Sequence, residues 1–304
     1  MVHVVSVSLG SAKRDVDKTV EILGHDVRLE RRGTNGSVEG ARRLVSELDG
    51  QVDAIGLGGL DLFVTWRGRR YFFRDARRIA AGATRTPVVC GAGLKDTLER
   101  RAVALLDASL GWRGRRVLVS SAIERGGMTE SLVEHGATVG YGDLAFVLGV
   151  PWLVHSARVQ DALIRILAPI ATQLPISWLY DTGSKQDRNG ETTERYARFY
   201  AWAEVIAGDW HFIRRYAPAD LTGKIVFTNT TTQGDVDFLT DRGVAKLITT
   251  TPRYDGRSLS TNLLEAAFVG IRGRRLARAD YDVLLDEFGY RPTELDLRPV
   301  AAAL

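Results

Sequence analysis

Lys95 stands in VVCGAGLKDTLER, directly after an apolar run and a glycine-containing turn, where a strand of an α/β fold would end. Only six of the 41 basic residues are lysines, so an amine kept at such a position is informative. A desolvated lysine can lose its proton near neutral pH and serve as a general base, which arginine cannot. Asp96 beside it, and Asp209 and His211 in AGDWHF, complete the candidate catalytic set, because a carboxylate orients an amine and a histidine relays protons. The structural alternative is that Lys95 and Asp96 simply begin the next helix in solvent. His211 has no second histidine at metal-ligand spacing and Cys90 is the only cysteine, so neither a zinc site nor an intrachain disulfide is expected.

Binding chemistry is suggested by RRVLVSSAIERGGMTESLVEHGATVGYGD, residues 115–143, which reads as strand, turn, helix and strand. In a Rossmann βαβ unit phosphates rest on the helix amino terminus, and an acid about 20 residues beyond the turn takes the ribose hydroxyls. Ser120, Ser121, Ala122, Gly126, Gly127 and Met128 would line the phosphates, and Asp143 would take the ribose. Asn229 and Thr230, in the polar strand end TNTTT, would join them. The glycine fingerprint is poor: residues 121–126 read SAIERG, with Gly126 alone agreeing and Ile123 where bare backbone is needed. The segment is therefore either a dinucleotide site or a purely structural βαβ unit. For a dinucleotide the cofactor would be NAD or NADP, with NAD favoured because a free acid at Asp143 repels a 2′-phosphate. A further polar strand end, GLGGLD, offers Gly58, Gly59 and Asp61 to a substrate.

The elements that must hold these residues alternate in type. Strands are expected at 2–8, 25–31, 52–57 and 86–90, with helices at 13–23, 36–48 and 75–81. Residues 62–74, LFVTWRGRRYFFR, break the alternation as a β-hairpin. A helix over 98–110 leads to the strands of the 115–143 segment and to later ones at 204–207, 224–228 and 245–249. The expected fold class is α/β with two domains: an N-terminal α/β substrate domain over 1–108, and a Rossmann-like parallel-sheet domain over 109–252 with an insertion at 144–203. A helical segment over 253–304 would bridge them. The insertion carries a polar stretch at 183–194, GSKQDRNGETTE, read as a candidate mobile loop, and a helix at 156–167.

Composition narrows the partners. With 304 residues, a net charge of +4, 45% hydrophobic and 26% charged residues, the chain is long enough for two cores and is neither disordered nor collagenous. Its Arg-Arg pairs are scattered and interleaved with acids, so no phosphate-tracking face and no nucleic-acid partner is expected. The start, MVHVVSVSLGSAKRD, reads as a strand rather than a signal peptide, and a cytoplasmic location fits. The sparsely charged 144–180 is interrupted by Pro151, Pro169 and Pro175. It is expected to be a contact surface, for a homo-oligomer or a peripheral partner, or part of the core, rather than a transmembrane span. The sequence lacks G-x-S-x-G, H-E-x-x-H and G-x-x-x-x-G-K-S/T, the usual support for serine hydrolase, zincin and P-loop readings.

The segments VSLGSAKRD, DAIGLGGLDLF, GAGLKDTLER, VIAGDWHFIRRY, VFTNTTT and LITTTPRYDGRSLSTNLLEA give the chain a resemblance to the quinate/shikimate dehydrogenase and glutamyl-tRNA reductase superfamily. It looks most like the small bacterial proteins labelled quinate 5-dehydrogenase. That resemblance implies NAD(P)-dependent oxidation or reduction of a small hydroxy or oxo acid, with Lys95 as base and Asp61, Asp96 or Asp255 as its aspartate partner. A second resemblance, to long-chain acyl-carrier-protein reductases, is carried by the LGG segment and by TNLLEAAFVGI. It places Asn262, expected near the substrate, where those enzymes have a nucleophilic cysteine, so the thioester route is not expected. The alternative to a dehydrogenase is a non-catalytic nucleotide- or metabolite-binding protein on a degenerate Rossmann fold.

Overall fold

The computed structural model describes residues 1–179 and 194–298. In chain order the first elements are β1 (Val2–Ser8), β2 (Val16–Ile22), β3 (His25–Gly33), α1 (Val38–Leu48), β4 (Ala54–Gly58), β5 (Phe63–Trp66), β6 (Arg69–Phe72), α2 (Arg74–Ala80), β7 (Val88–Val89) and α3 (Ala92–Leu110). There follow β8 (Arg116–Val119), α4 (Gly126–Glu134), β9 (Thr138–Tyr141), α5 (Ala157–Ala171), α6 (Ile176–Leu179), α7 (Glu194–Trp202), β10 (Val205–Ala207), α8 (Trp210–Tyr216), β11 (Ile225–Thr228), α9 (Gln233–Thr240) and β12 (Lys246–Thr249). The chain closes with β13 (Arg253–Tyr254), β14 (Arg257–Ser258), α10 (Thr261–Arg272), α11 (Arg278–Glu287) and β15 (Thr293–Asp296). The fold is two-domain α/β with a parallel-rich sheet in each compact unit. One unit takes Met1–Leu98, Ala162–Arg188 and Ser260–Tyr290, and the other Glu99–Asp161, Asn189–Leu259 and Arg291–Leu304.

In the first unit the sheet order is β2-β3-β1-β4-β7, parallel except for β2. Strand β1 is central, so it buries Val4, Val5 and Val7 in a near-continuous apolar run. Helix α10 lies close against this sheet. A side chain at Gly56 would come within 2.8 Å of the Asn262 carbonyl oxygen, so glycine there allows the close approach. The hairpin expected at 62–74 is present as β5 and β6, with Arg67 and Gly68 both at positive φ, the turn that suits a two-residue connection.

The helix expected at 13–23 is instead a single 3-10 turn, Ala12–Arg14, followed by β2, which pairs antiparallel with β3 through the Leu23-Gly24 turn. The deciding period is two: exposure alternates along VDKTVEI, as on an edge strand with one face against the protein. The segment 253–304, expected to be helical, also contributes β15, which pairs antiparallel with β12.

The second unit's sheet runs β15-β12-β11-β10-β8-β9, with β15 alone antiparallel. Its core is anchored by Trp112, fully buried and stacked on Phe227 at 6.3 Å, with its indole N–H donated to the Val103 carbonyl at 2.8 Å. The sparsely charged 144–180 run divides between core and surface. Phe146 sits among Tyr196, Phe199, Tyr200 and Tyr216, whereas Trp152, Ile166, Ile170 and Trp178 are exposed. Among the described residues no helix is long and apolar enough to cross a membrane. Of the polar stretch at 183–194, residues 183–193 lie outside the described residues.

Candidate functional site

Each sheet has a switch point, where successive connections leave a central strand in opposite directions, and open α/β sheets bind ligands outside the carboxyl ends of those strands. In the first unit it falls at β1, flanked by β3 and β4. Past these strand ends the Leu9 N–H donates to the Gly58 carbonyl at 2.9 Å, and Gly59 carries the chain on towards Asp61. The Lys95 ammonium donates to Asp61 Oδ2 at 2.7 Å, the two side chains being only 13% and 15% exposed. Lys95 is therefore not on a free loop. Its N–H donates to the Gly91 carbonyl at 2.8 Å, which places it in the first turn of α3.

Asp61 is thus the aspartate that meets Lys95. Asp96 faces Arg278 at 3.2 Å and ties α3 to α11. Asp255 belongs to the other unit, exposed at the tip of the β13–β14 hairpin with φ 49°. Asn262, expected near a substrate, is buried and donates to Ser6 Oγ at 2.6 Å, so it fastens α10 to β1. Arg31, overlooked within a scattered Arg-Arg pair, is buried at the same strand ends. It donates to Ser8 Oγ, the Ser11 carbonyl and Asp15 at 2.8–3.0 Å.

In the second unit the switch point lies between β8 and β10. The strand–turn–helix–strand geometry of 115–143 is present, but the turn does not present a phosphate cradle. Asp143 Oδ2 accepts from the Ala122 N–H at 3.2 Å and the Gln160 amide at 2.7 Å, and its Oδ1 accepts from the Ile123 N–H at 3.1 Å. Burial pushes the Asp143 carboxyl above the usual carboxylate range, against the pull of these donors. The acid expected to hold a ribose instead occupies the N–H groups that a pyrophosphate would need. Ser120, Ser121, Ala122, Gly126, Gly127 and Met128 are all buried.

Arg125, unremarkable within SAIERG, is the centre of this unit's charge network. It donates to Glu99 at 2.5 Å and to Asp209 at 2.6 Å, with Arg125 and Glu99 almost wholly buried. Asp209 also accepts from the His211 N–H at 3.0 Å, as the cap of α8, and from the Asn229 amide at 3.2 Å. Asn229 in turn accepts from the Trp210 N–H at 3.1 Å. Asp209, His211 and Asn229 are therefore brought together just past β10, His211 through its backbone N–H, with Thr230 half-buried beyond them. No group of three or more metal-ligating side chains occurs among the described residues.

Cys90 follows β7 and is buried, and burial first, then the nearby Asp61 and Glu265 charges, push its thiol up to about 12. A thiolate is the reactive form, so native protein at pH 8 should leave Cys90 unmodified by a disulfide reagent over hours, while urea-unfolded protein reacts within minutes. Rapid native labelling would contradict this placement.

The family model described as a domain of unknown function, DUF8754, matches residues 93–297, and one described as a domain of unknown function, DUF8753, matches residues 3–90. No curated protein matches the sequence. Among solved structures, the chain is similar to AraP, an arabinose binding protein from Geobacillus stearothermophilus, at 10% identity over 97% of each chain, with a TM-score of 0.41. It is also similar to an ABC transporter solute binding protein from Agrobacterium vitis with bound allitol, at 14% identity over 97% of this chain and 95% of that one, with a TM-score of 0.35. These findings correct the expected kinship. The family models that match are domains of unknown function, and the two solved structures are described as binding proteins, not as quinate/shikimate dehydrogenases or acyl-carrier-protein reductases. The expected oxidoreductase activity and NAD or NADP cofactor are withdrawn on the geometry of this unit, where Asp143 already takes the N–H groups of Ala122 and Ile123.

Proposed function

We infer that this chain, which belongs to the DUF8754 family, binds a small polyhydroxylated molecule in its first unit without transforming it. The observation that carries this reading is the Asp61–Lys95 pair at the switch-point strand ends, 2.7 Å apart and mostly shielded from water. A hydroxyl is the complement of such a pair, since it donates to the carboxylate and accepts from the ammonium, and hydrogen bonds to ionised groups are about twice as strong as neutral ones. Gly58 and Gly59 lead the chain from the end of β4 to Asp61, with the Gly58 carbonyl accepting the Leu9 N–H. The pair holds Lys95 as a hydrogen-bond donor rather than as an isolated amine, which suits recognition better than proton abstraction.

Arabinose and allitol are suitable first probes by calorimetric titration. Binding in the micromolar to low-millimolar range is expected, with Lys95→Met and Asp61→Asn each weakening it by about tenfold or more, the loss of one charge-assisted hydrogen bond. NADH and NADPH should give no heat. If no sugar or polyol binds, or if it binds equally well to folded Lys95→Met protein, this reading fails.

A further inference from the structure

We propose that the corner of the first unit formed by the β5–β6 hairpin, α2 and the end of α5 docks on a bilayer surface rich in anionic lipid. Residues 62–81 carry six arginines against a single acid, Asp75. All six, Arg67, Arg69, Arg70, Arg74, Arg77 and Arg78, are exposed. Asp75 is buried, and its carboxylate accepts the Ile176 N–H at 2.9 Å. On α2 the exposed arginines fall at positions i, i+3 and i+4, one face of the helix, while Ala76 and Ile79 are buried on the other. On the hairpin, Val64, Trp66 and Tyr71 are buried on one face, and the register puts Phe63, Phe72 and Arg70 on the opposite one. The rings of Phe63 and Phe72 are 5.3 Å apart, with the Arg70 guanidinium 4.6 Å from the first centroid and that of Arg77 5.7 Å from the second. Two Arg-Arg pairs that are separate in sequence are thus joined into one basic and aromatic surface.

Large apolar side chains stand beside it. The Arg74 N–H donates to the Thr172 carbonyl at 3.0 Å, and with the bond from Ile176 to Asp75 this seats residues 172–176 on the first turn of α2. Ile170, just before that segment, is 61% exposed, and Trp178, just after it, is 74% exposed. Ile166, one turn back along α5 on the same face as Ile170, is 64% exposed. Arginine beside exposed isoleucine and tryptophan suits a membrane interface, where cations meet lipid phosphates, tryptophan rests among the headgroups and aliphatic side chains enter the acyl boundary. Nucleic acid would use the arginines but offers little to the isoleucines, and a second copy packed symmetrically on this corner would set arginine against arginine. The docking does not depend on the reading of Asp61–Lys95 as a binding pair.

Co-sedimentation of the full chain with vesicles is the test. Partitioning onto vesicles of equal parts phosphatidylglycerol and phosphatidylcholine should exceed that onto phosphatidylcholine alone by about tenfold or more, and raising the salt from about 0.1 to about 1 M should remove most of the difference. Arg77→Gln/Arg78→Gln should weaken partitioning by about tenfold or more, since each arginine near an anionic surface contributes about fivefold. Ile170→Ser/Trp178→Ser, which alters two exposed side chains, should weaken it by a similar factor, and brominated acyl chains should quench wild-type fluorescence more than that of Trp178→Phe. Equal partitioning onto neutral and anionic vesicles, or undiminished partitioning by either double variant, would overturn the proposal. So would binding of a DNA duplex without binding of the vesicles, or a wild-type dimer that Ile170→Ser/Trp178→Ser dissociates.

Discussion

Arg125→Met should cost the second unit about 3–5 kcal/mol of stability, measured by urea denaturation. Arg125 is 2% exposed and Glu99 is 1% exposed, so neither charge can turn to water when its partner is removed. Burial works against the guanidinium charge, and Glu99 and then Asp209 more than offset it. Methionine fills much of the same volume, so the expected loss comes chiefly from leaving the Glu99 carboxylate in the interior without its cation. The double variant Glu99→Gln/Arg125→Met removes both charges and should recover more than half of that loss.

The pH dependence has a definite sign. Burial alone would raise the Asp209 carboxyl, but Arg125 and then His211 hold it below the ordinary aspartate range. A depressed carboxyl contributes stability above the unfolded pKa and loses it as the pH falls through the folded value. The gap between wild type and Arg125→Met should therefore narrow as the pH drops below about 4, near the unperturbed aspartate value. A loss under 1 kcal/mol, or no rescue in the double variant, would show that the Glu99–Arg125–Asp209 network does not hold this unit together.

Gly208→Ala is expected to be similarly damaging, by roughly 2–6 kcal/mol, from backbone strain of about 1–3 and overpacking of about 1–3. Gly208 has φ 122°, a conformation that side chains oppose, and a Cβ would lie 2.3 Å from Ser120 Oγ and 3.0 Å from the Ser120 nitrogen. The backbone is not free to turn away. The Gly208 N–H donates to the Phe227 carbonyl at 3.1 Å, and its own carbonyl accepts the Thr228 hydroxyl at 2.8 Å. Adding Ser120→Gly should remove the hydroxyl clash while leaving the strained dihedral and the approach to the Ser120 nitrogen, and so recover only part of the loss. A Gly208→Ala protein that melts within 2 °C of wild type would refute the close strand approach between β8 and β10.

Much of the architecture was legible because its signals are local. Apolar runs announced β1, β8, β10, β11 and β12, and the Arg67-Gly68 turn between aromatic runs announced the β5–β6 hairpin. The 13–23 segment misled because its apolar residues Val16, Val20 and Leu23 also fit one helical face. Pairing with β3 chose the extended form, and that choice depends on residues beyond the segment itself.

The candidate site was legible in part. Lys95 and Asp61 were both singled out, yet 34 positions separate them, and the sequence offered Asp61, Asp96 and Asp255 equally as partners. Asp143 stands at the separation from the turn that a ribose-binding acid requires, and Glu265 lies within an apolar helical pattern. What the sequence by itself determined was most of the order of strands and helices, and hence which of the candidate residues fall near strand ends, because backbone propensity and hydrophobic period act over a few neighbours. Only the tertiary structure decided that Asp143 takes the N–H groups of Ala122 and Ile123, that Glu265 takes that of Gly91, and that Arg125 joins Glu99 to Asp209. Hydrogen bonds and ion pairs form over about 3 Å, and the distance between groups far apart in sequence is set by how the elements pack.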